Sequence, residues 1–337
     1  MTKDQINKLI YDGKFPDATH SRELIETHIS WVILCDQFVY KIKKPVHYSF
    51  LDFSTTEQRK YYCEKEIKLN KRLTENIYLD VQPVYELKGC FIVGGDKGSL
   101  IDHTVRMNKI DRDKQMDILL IKNKVTESDI WRLSRKIASF HKNTAVIYKQ
   151  DFPDMRGVFN DLATQKAFLG KNLGVQSENI IDHALSTSDA FIRHNQAVFT
   201  RRQNAGFYRD CHGDLHSRNI FLLPDPQPFD CIEFNDDFRQ IDVLNEIAFL
   251  CMDLEAFGKK EFSDLFFEYY NKFFLAVANE ADRRLFIYYK SYRANIRAKV
   301  NSLRAKSAVN HDDKTKSLKS AEEYLSLMNN YISLLNG

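Results

Sequence analysis

His212-Gly213-Asp214-Leu215-His216-Ser217-Arg218-Asn219, followed by the apolar run Ile220-Phe221-Leu222-Leu223, is the stretch on which the reading of this chain turns. It sets an acid, then an amide five residues later, then a strand. Two more carboxylates follow in Phe229-Asp230-Cys231-Ile232-Glu233-Phe234. Phosphoryl transfer from a nucleotide uses this order: an Asp orients the attacking hydroxyl and takes its proton. An Asn at D-x-x-x-x-N spacing and a carboxylate past the next hairpin hold Mg²⁺ on the phosphates. Little covalent help is needed, so positioned carboxylates, a metal and a cation supply most of the catalysis. Asp214 is therefore the candidate catalytic residue, and Asn219, Asp230 and Glu233 are the candidate metal ligands, hard oxygens of the kind Mg²⁺ prefers.

The rest of the chain accommodates such a site. At 337 residues it is long enough for one large bilobal domain or two ordinary ones. A hydrophobic content of 43%, with 24 Phe and 16 Tyr, supports a packed core and argues against disorder. The formal charge of +3 is too small for a dedicated nucleic-acid binder. Cys35, Cys63, Cys90, Cys211, Cys231 and Cys251 are scattered singly with no C-x-x-C pair, which favours reduced thiols and a cytoplasmic setting. Met1-Thr2-Lys3-Asp4-Gln5 opens a short amphipathic segment without the apolar core of a signal peptide. No window approaches 18 apolar residues, so no membrane span is expected. Oligomeric state is not legible.

Residues 22 to 44 read as strands. Trp31-Val32-Ile33-Leu34-Cys35 and Phe38-Val39-Tyr40-Lys41-Ile42-Lys43 form a hairpin around Asp36-Gln37, although the turn lacks glycine. Thr55 to Leu73 reads as a helix capped by Thr55 or Ser54. Val81 to Glu86, Cys90 to Val93 and His103 to Met107 are short strands set apart by glycine-bearing turns. From about Asn108 the pattern turns helical. Thr126 to Thr144 has a capping-box start and an apolar stripe through Ile130, Leu133, Ile137 and Phe140. Further helices are expected over Phe159 to Leu173, Ile180 to Ala205, Asp242 to Phe257, Glu261 to Asn279, Asp282 to Ala308 and Lys316 to Leu335. The catalytic stretch is a β-rich island among them.

On these residues the chain resembles the aminoglycoside phosphotransferase-like kinases, relatives of protein kinases that phosphorylate small molecules. The catalytic loop His-Gly-Asp-Leu-His-x-x-Asn-Ile is its most specific part. Glu26-Thr27-His28-Ile29-Ser30-Trp31, Tyr40 to Val46, Phe50 to Ser54, Leu69 to Leu73 and Tyr292-Arg293-Ala294 to Arg297-Ala298-Lys299-Val300 are similar to a bacterial subgroup with no assigned substrate. Some members of that subgroup carry a P-loop ATPase domain after the kinase. The resemblance implies a two-lobed α+β protein-kinase-like fold: a small β-rich N-lobe over 1–108 and a helical C-lobe over 109–337 with the catalytic loop. It implies ATP and Mg²⁺ in the cleft beneath a hinge at Arg106-Met107-Asn108-Lys109, with Met107 among the nucleotide contacts.

It also implies a phosphate-binding lysine. Lys41, after Phe38-Val39-Tyr40, best matches the V-A-I-K pattern, and Lys43 on the same strand face is the alternative. The helix partner is Glu66, or Glu64. No G-x-G-x-x-G is present; Thr27-His28-Ile29-Ser30 stands in its place with hydroxyls and backbone N–H groups. Gly213 stands where protein kinases carry an Arg that receives an activation-loop phosphate. His212 and His216 share i, i+4 spacing, but no further zinc ligands accompany them, and they are assigned to holding the loop. Asp242 resembles the family's Asp that bonds the catalytic-loop backbone, with Arg239 pairing nearby. Of the two carboxylates, Ile-Glu-Phe matches the family's Ile-Asp-Phe, which favours Glu233 as the main metal ligand. Residues three apart on a regular strand face opposite ways, so either the chain bends between Asp230 and Glu233 or only one is a ligand.

Arg293 and Arg297 lie four apart on a basic helix and read either as a solvated face or as a clamp for an anionic group on the acceptor. The expected activity is ATP-dependent phosphorylation of a hydroxyl on a neutral or anionic small molecule such as a sugar or polyol, with no nucleic-acid or membrane partner. The alternatives are a protein kinase, disfavoured by the lack of an Ala-Pro-Glu segment after Glu233, and a nucleotide-binding regulator without turnover.

Overall fold

The computed structural model describes residues 1–148 and 154–336. They fall into two compact units, Met1–Leu119 with Asn219–Phe238, and Leu120–Arg218 with the chain from Arg239 onward. This differs from a partition at 108/109: the first unit runs further and takes back the segment that carries Asn219, Asp230 and Glu233.

In the first unit, β1 (Glu23–Glu26), β2 (Ser30–Leu34), β3 (Phe38–Lys43), β6 (Tyr78–Leu87), β7 (Cys90–Val93) and β8 (Ser99–Asn108) form one antiparallel sheet in the order β1-β2-β3-β8-β6-β7. The expected hairpin is β2–β3, closed by Cys35 N–H donating to Phe38 O at 2.9 Å. Neither Asp36 nor Gln37 takes a positive φ, so the turn has no need of glycine. The β6–β7 turn does: Lys88 and Gly89 both sit at positive φ, +51° and +82°. Between β3 and the following helix, β4 (His47–Tyr48) and β5 (Leu51–Asp52) make a short hairpin whose tip, Phe50, packs on Phe234 and Phe238.

Helix α1 (Lys3–Asp12), with a Thr2/Gln5 capping box, buries Ile6 and Leu9 against Ile33, Tyr40 and Phe91. Helix α2 (Thr56–Asn70), capped by Thr55, sets Cys63 and Ile67 against Val105 and Met107. Charged Glu66 is buried on the same helix, a costly placement without partners. The returning segment explains the extended boundary. After β9 (Tyr208–Asp210), strand β10 (Ile220–Phe221) pairs with β11 (Gln227–Pro228), and Phe221 enters the cluster of Cys63, Tyr78 and Met107.

The second unit is helical: α4 (Glu127–Asn143), α5 (Met155–Asn160), α6 (Lys166–Leu173), α7 (Val175–His194), α8 (Gln196–Asn204), α9 (Val243–Ala256), α10 (Lys260–Phe273), α11 (Glu280–Ser307) and α12 (His311–Asn336), with α3 (Met116–Ile121) at the junction. The expected α4 stripe, Ile130, Leu133, Ile137 and Phe140, is buried. The helices expected over 159–173 and 180–205 are each broken, the first by a tight 3₁₀ turn at Asp161–Gln165 and the second at Asn195. Helix α10 stops at Phe273, short of Asn279, because Asn271 Oδ1 turns back to accept the amides of Ala276 and Val277. Helix α9 is buried continuously from Val243 to Leu254. A helix apolar nearly all round belongs in a core, so its few polar residues, Asn245, Glu246 and Asp253, must be bonded there. No helix among the described residues is long and apolar enough to cross a membrane.

Candidate active site

Strand alternation puts Lys41 and Lys43 on one face of β3. Glu66 on α2 meets both: Lys41 Nζ lies 2.7 Å from Oε1 and Lys43 Nζ 2.7 Å from Oε2. Glu64 instead faces solvent beside Lys60. Each lysine has a second carboxylate, Asp230 for Lys41 at 2.6 Å and Glu233 for Lys43. Lys41 and Lys43 are therefore consecutive members of one ion-pair chain. Burial alone would raise the Glu66 carboxyl, but the two lysines overturn it and bring it down to about 2. Glu233 goes the other way: burial holds it above the ordinary range, the Lys43 charge only partly offsets that, and Glu66 adds to it. Lys41 is pushed up, its burial outweighed by Asp230, Glu66 and Glu233.

Both carboxylates reach the lysines because the chain bends. Asp230 sits at φ +62°, a left-handed conformation that Asp tolerates better than most side chains. Tyr78 Oη, accepting from Asp230 N–H at 3.1 Å, and Asn70 Oδ1, accepting from Cys231 N–H at 2.9 Å, hold the bend. The two acids differ in access: the Asp230 side chain is 45% exposed and Glu233 only 4%. Asn219 is buried where the 3₁₀ turn Ser217–Asn219 meets β10, and its carbonyl accepts from Phe229 N–H. Met107 is buried in β8 opposite Val39 and Tyr78. In the β1–β2 turn the Thr27 hydroxyl is engaged locally, donating to Ser30 O and accepting from Ser30 N–H.

In the second unit α9 carries the candidate catalytic loop. Glu246 accepts the amides of His212 and Gly213 at 2.6 and 2.8 Å, Phe249 packs on the His216 ring, and Asp253 accepts Ser217 N–H and Oγ–H at 2.8 and 2.5 Å. Residues 246, 249 and 253 share one helical face. Asp242 does not take this role. It caps α9 through Leu244 N–H and pairs with buried Arg202 at 2.6 and 2.9 Å, while Arg239 pairs with Asp210. The expected loop holder is corrected to Glu246, one helical turn on, with Asp253. Two acids seven apart in a largely apolar helix were the sequence signal for it.

Within the loop, Gly213 lies at φ +89°, where a side chain such as Arg would be strained. Its carbonyl accepts from Arg293 at 3.2 Å, and Arg293 Nε donates to Asn245 Oδ1 at 2.6 Å. Arg293 therefore braces the loop. His212 Nδ1 accepts from Asp214 N–H, and His216 Nδ1 from Arg218 N–H, both at 3.3 Å. That leaves His216 Nε2–H to donate to Asp214 Oδ2 at 3.3 Å. Burial would raise the Asp214 carboxyl, but His216, Arg297 and His212 hold it well below the usual carboxylate range. Arg297 is buried on α11, its guanidinium 5.4 Å from the Tyr324 ring centroid.

Comparison with known proteins agrees with this architecture. No family model matches the chain. It is 30% identical over 286 residues, 83% of its length, to an uncharacterized protein of Mycobacterium tuberculosis (strain H37Rv) and to its counterpart in Mycobacterium bovis. The chain spans about half, 54%, of those curated relatives. Among solved structures, the GDP complex of wild-type aminoglycoside 2'-phosphotransferase-IIIa superposes with a TM-score of 0.55 at 16% identity, covering 92% of this chain and 94% of that one. Choline kinase from Cryptosporidium parvum Iowa II gives 0.57 at 10% identity, covering 93% and 90%. The chain has the two-lobed, protein-kinase-like α+β fold of these small-molecule kinases, as the catalytic-loop resemblance implied.

Proposed function

We propose that this chain transfers the γ-phosphoryl group of ATP to a hydroxyl of a small molecule. The observation that carries the reading is the ion-pair chain Asp230–Lys41–Glu66–Lys43–Glu233. A buried carboxylate between two lysines, each tied to a further acid, is a costly arrangement for stability alone. It suits a site where Lys41, fixed by Glu66, offers its charge to nucleotide phosphates.

In the reaction the acceptor oxygen attacks the γ-phosphorus, the bond from that phosphorus to the β–γ bridging oxygen breaks, and ADP leaves. Asp214 receives the hydroxyl proton. A carboxylate held so far below its ordinary value is a weak base, so Asp214 orients the hydroxyl and takes the proton late. That fits a loose transition state with little early demand for deprotonation. Asn219, Asp230 and Glu233 offer one amide and two carboxylates, a hard-oxygen set that fits Mg²⁺. Asp230 fits best, because its side chain is the exposed one and its Oδ2 accepts no hydrogen bond among the described residues. When bound, the metal would neutralise charge developing on the phosphate oxygens.

The test is ADP release from Mg-ATP, and from Mg-GTP for comparison, in the presence of a library of hydroxylated metabolites. Acceptor-dependent ADP formation that vanishes in Asp214→Asn supports the reading. Intact nucleotide binding with no acceptor-dependent turnover would replace it with a nucleotide-binding regulator.

A further inference from the structure

Helix α11 narrows the class of acceptor, an inference that rests on the kinase reading above. Arg293, Arg297 and Arg304 recur at spacings of four and seven, so they lie along one face of the helix. They are not equivalent. Arg293 is engaged in bracing Gly213 and Asn245.

Arg297 is only 8% exposed, which removes the solvated-face reading. Its Nε is buried with no hydrogen-bond partner, and it forms no ion pair with a carboxylate among the described residues. A buried guanidinium donor left unmade is expensive, and such groups mark places where another molecule completes the bonding. The nearby acids do not complete it: Asp253 is occupied by Ser217, and Asp214 by His216. Against its burial, Tyr324, Asp253 and Asp214 raise the Arg297 guanidinium, while Arg218 and Arg304 add positive charge nearby. Burial and then the charges of Arg297 and of Arg218, from the catalytic loop, hold exposed Arg304 below its ordinary value.

We propose that Arg297, flanked by Arg304 and Arg218, binds an anionic group, phosphate or carboxylate, on the acceptor and so delivers the acceptor's hydroxyl to Asp214. A planar guanidinium with an unpartnered Nε, its head group also bonded to Tyr324, suits charge-assisted capture of such a group. The arginines themselves repel a polycation, so aminoglycosides should be poor acceptors.

The experiment uses the full chain and matched probes: glycerol, glycerate and glycerol 3-phosphate; glucose, gluconate and glucose 6-phosphate; and kanamycin. Binding is read by thermal shift at constant ionic strength, and transfer by kcat/KM with Mg-ATP. At least one anionic probe should bind and react ten-fold or more better than its neutral partner. Arg297→Gln and exposed Arg304→Gln should raise the KM of that anionic acceptor ten-fold or more, well beyond any rise in the KM of ATP. Lys299→Gln, which removes a charge of the same helix that is paired with Asp161, serves as the charge control and should retain the preference. Equal use of neutral and anionic partners, no anionic shift beyond matched chloride, or efficient kanamycin phosphorylation would overturn the proposal. An Arg297→Gln effect as large on ATP as on the acceptor would reassign the arginines to the nucleotide. Anion binding that persists alongside no Mg-ATP shift and no transfer would overturn the kinase reading instead.

Discussion

His216 donates its Nε2–H to Oδ2 of Asp214 at 3.3 Å, the tautomer being set by Arg218 N–H on Nδ1. A neutral imidazole suffices for this bond. The histidine thus favours an ionised Asp214 carboxylate, and the i, i+4 pair His212/His216 serves the loop through its ring nitrogens.

Removing that support should show in the pH profile. In the proposed reaction Asp214 must be ionised to receive a proton, and its lowered value keeps it so well into acid. In His216→Ala the chief opposition to burial is gone, so the Asp214 value rises and the acid limb of kcat moves to higher pH. The ratio of kcat at pH 5 to kcat at pH 8 should fall relative to wild type. Superimposable acid limbs would mean that His216 does not control Asp214.

Asp214→Asn preserves the side-chain shape and removes the proposed acceptor of the proton. Turnover should drop by about 10²–10⁴-fold, the usual worth of general acid–base help, while the thermal shift with Mg-ATP remains. Wild-type turnover in this variant would place the base elsewhere.

Much of this site was legible because its parts are fixed by local spacing. Asp214 to Asn219 is a loop of set length, and Lys41 and Lys43 share a strand face whatever surrounds them. What could not be read depends on contacts distant in sequence. Asp242 sits where the family pattern expects a loop holder, yet Arg202, forty residues earlier, captures it and leaves the loop to Glu246 and Asp253. Strand alternation separates Asp230 from Glu233 only for a regular strand, and the bend at Asp230 is held by Tyr78 and Asn70 from other elements. Helix breaks at Asp161–Gln165 and Asn195 carry no Pro or Gly and interrupt otherwise acceptable periodicity.

Glu66→Gln tests the ion-pair chain through stability. The Glu66 value is lowered from 4.5 to about 2 in the fold, so its contribution is present above pH 4.5 and is lost as pH falls through 2. At about 1.4 kcal/mol per pH unit this is worth about 3 kcal/mol near neutrality, comparable to breaking a buried pair. Glu233, shifted the opposite way, is left untouched. Denaturant unfolding at pH 7 should show the loss, and the difference between variant and wild type should shrink as pH falls below 4.5. A pH-independent difference would show that packing, and not the charge of Glu66, is responsible.

The last expectation separates Asp230 from Glu233. The Ile-Glu-Phe match favours Glu233 as the metal ligand, but the ion pairs and exposure argue for Asp230. Glu233 is 4% exposed and bound to fully buried Lys43, so Glu233→Ala leaves an ammonium buried with only Glu66 for company. Its main effect should be on the fold itself, a lower unfolding midpoint without nucleotide. Asp230 is 45% exposed, so Asp230→Ala should leave the unliganded midpoint nearly unchanged. It should lose most of the stabilisation that Mg-ATP gives, about 2.7 kcal/mol at a hundred times Kd. It should also need more Mg²⁺ for half-maximal turnover. The measurement is the unfolding midpoint of both variants with and without Mg-ATP across a Mg²⁺ titration. A normal metal response in Asp230→Ala beside a lost one in a well-folded Glu233→Ala would return the metal to Glu233.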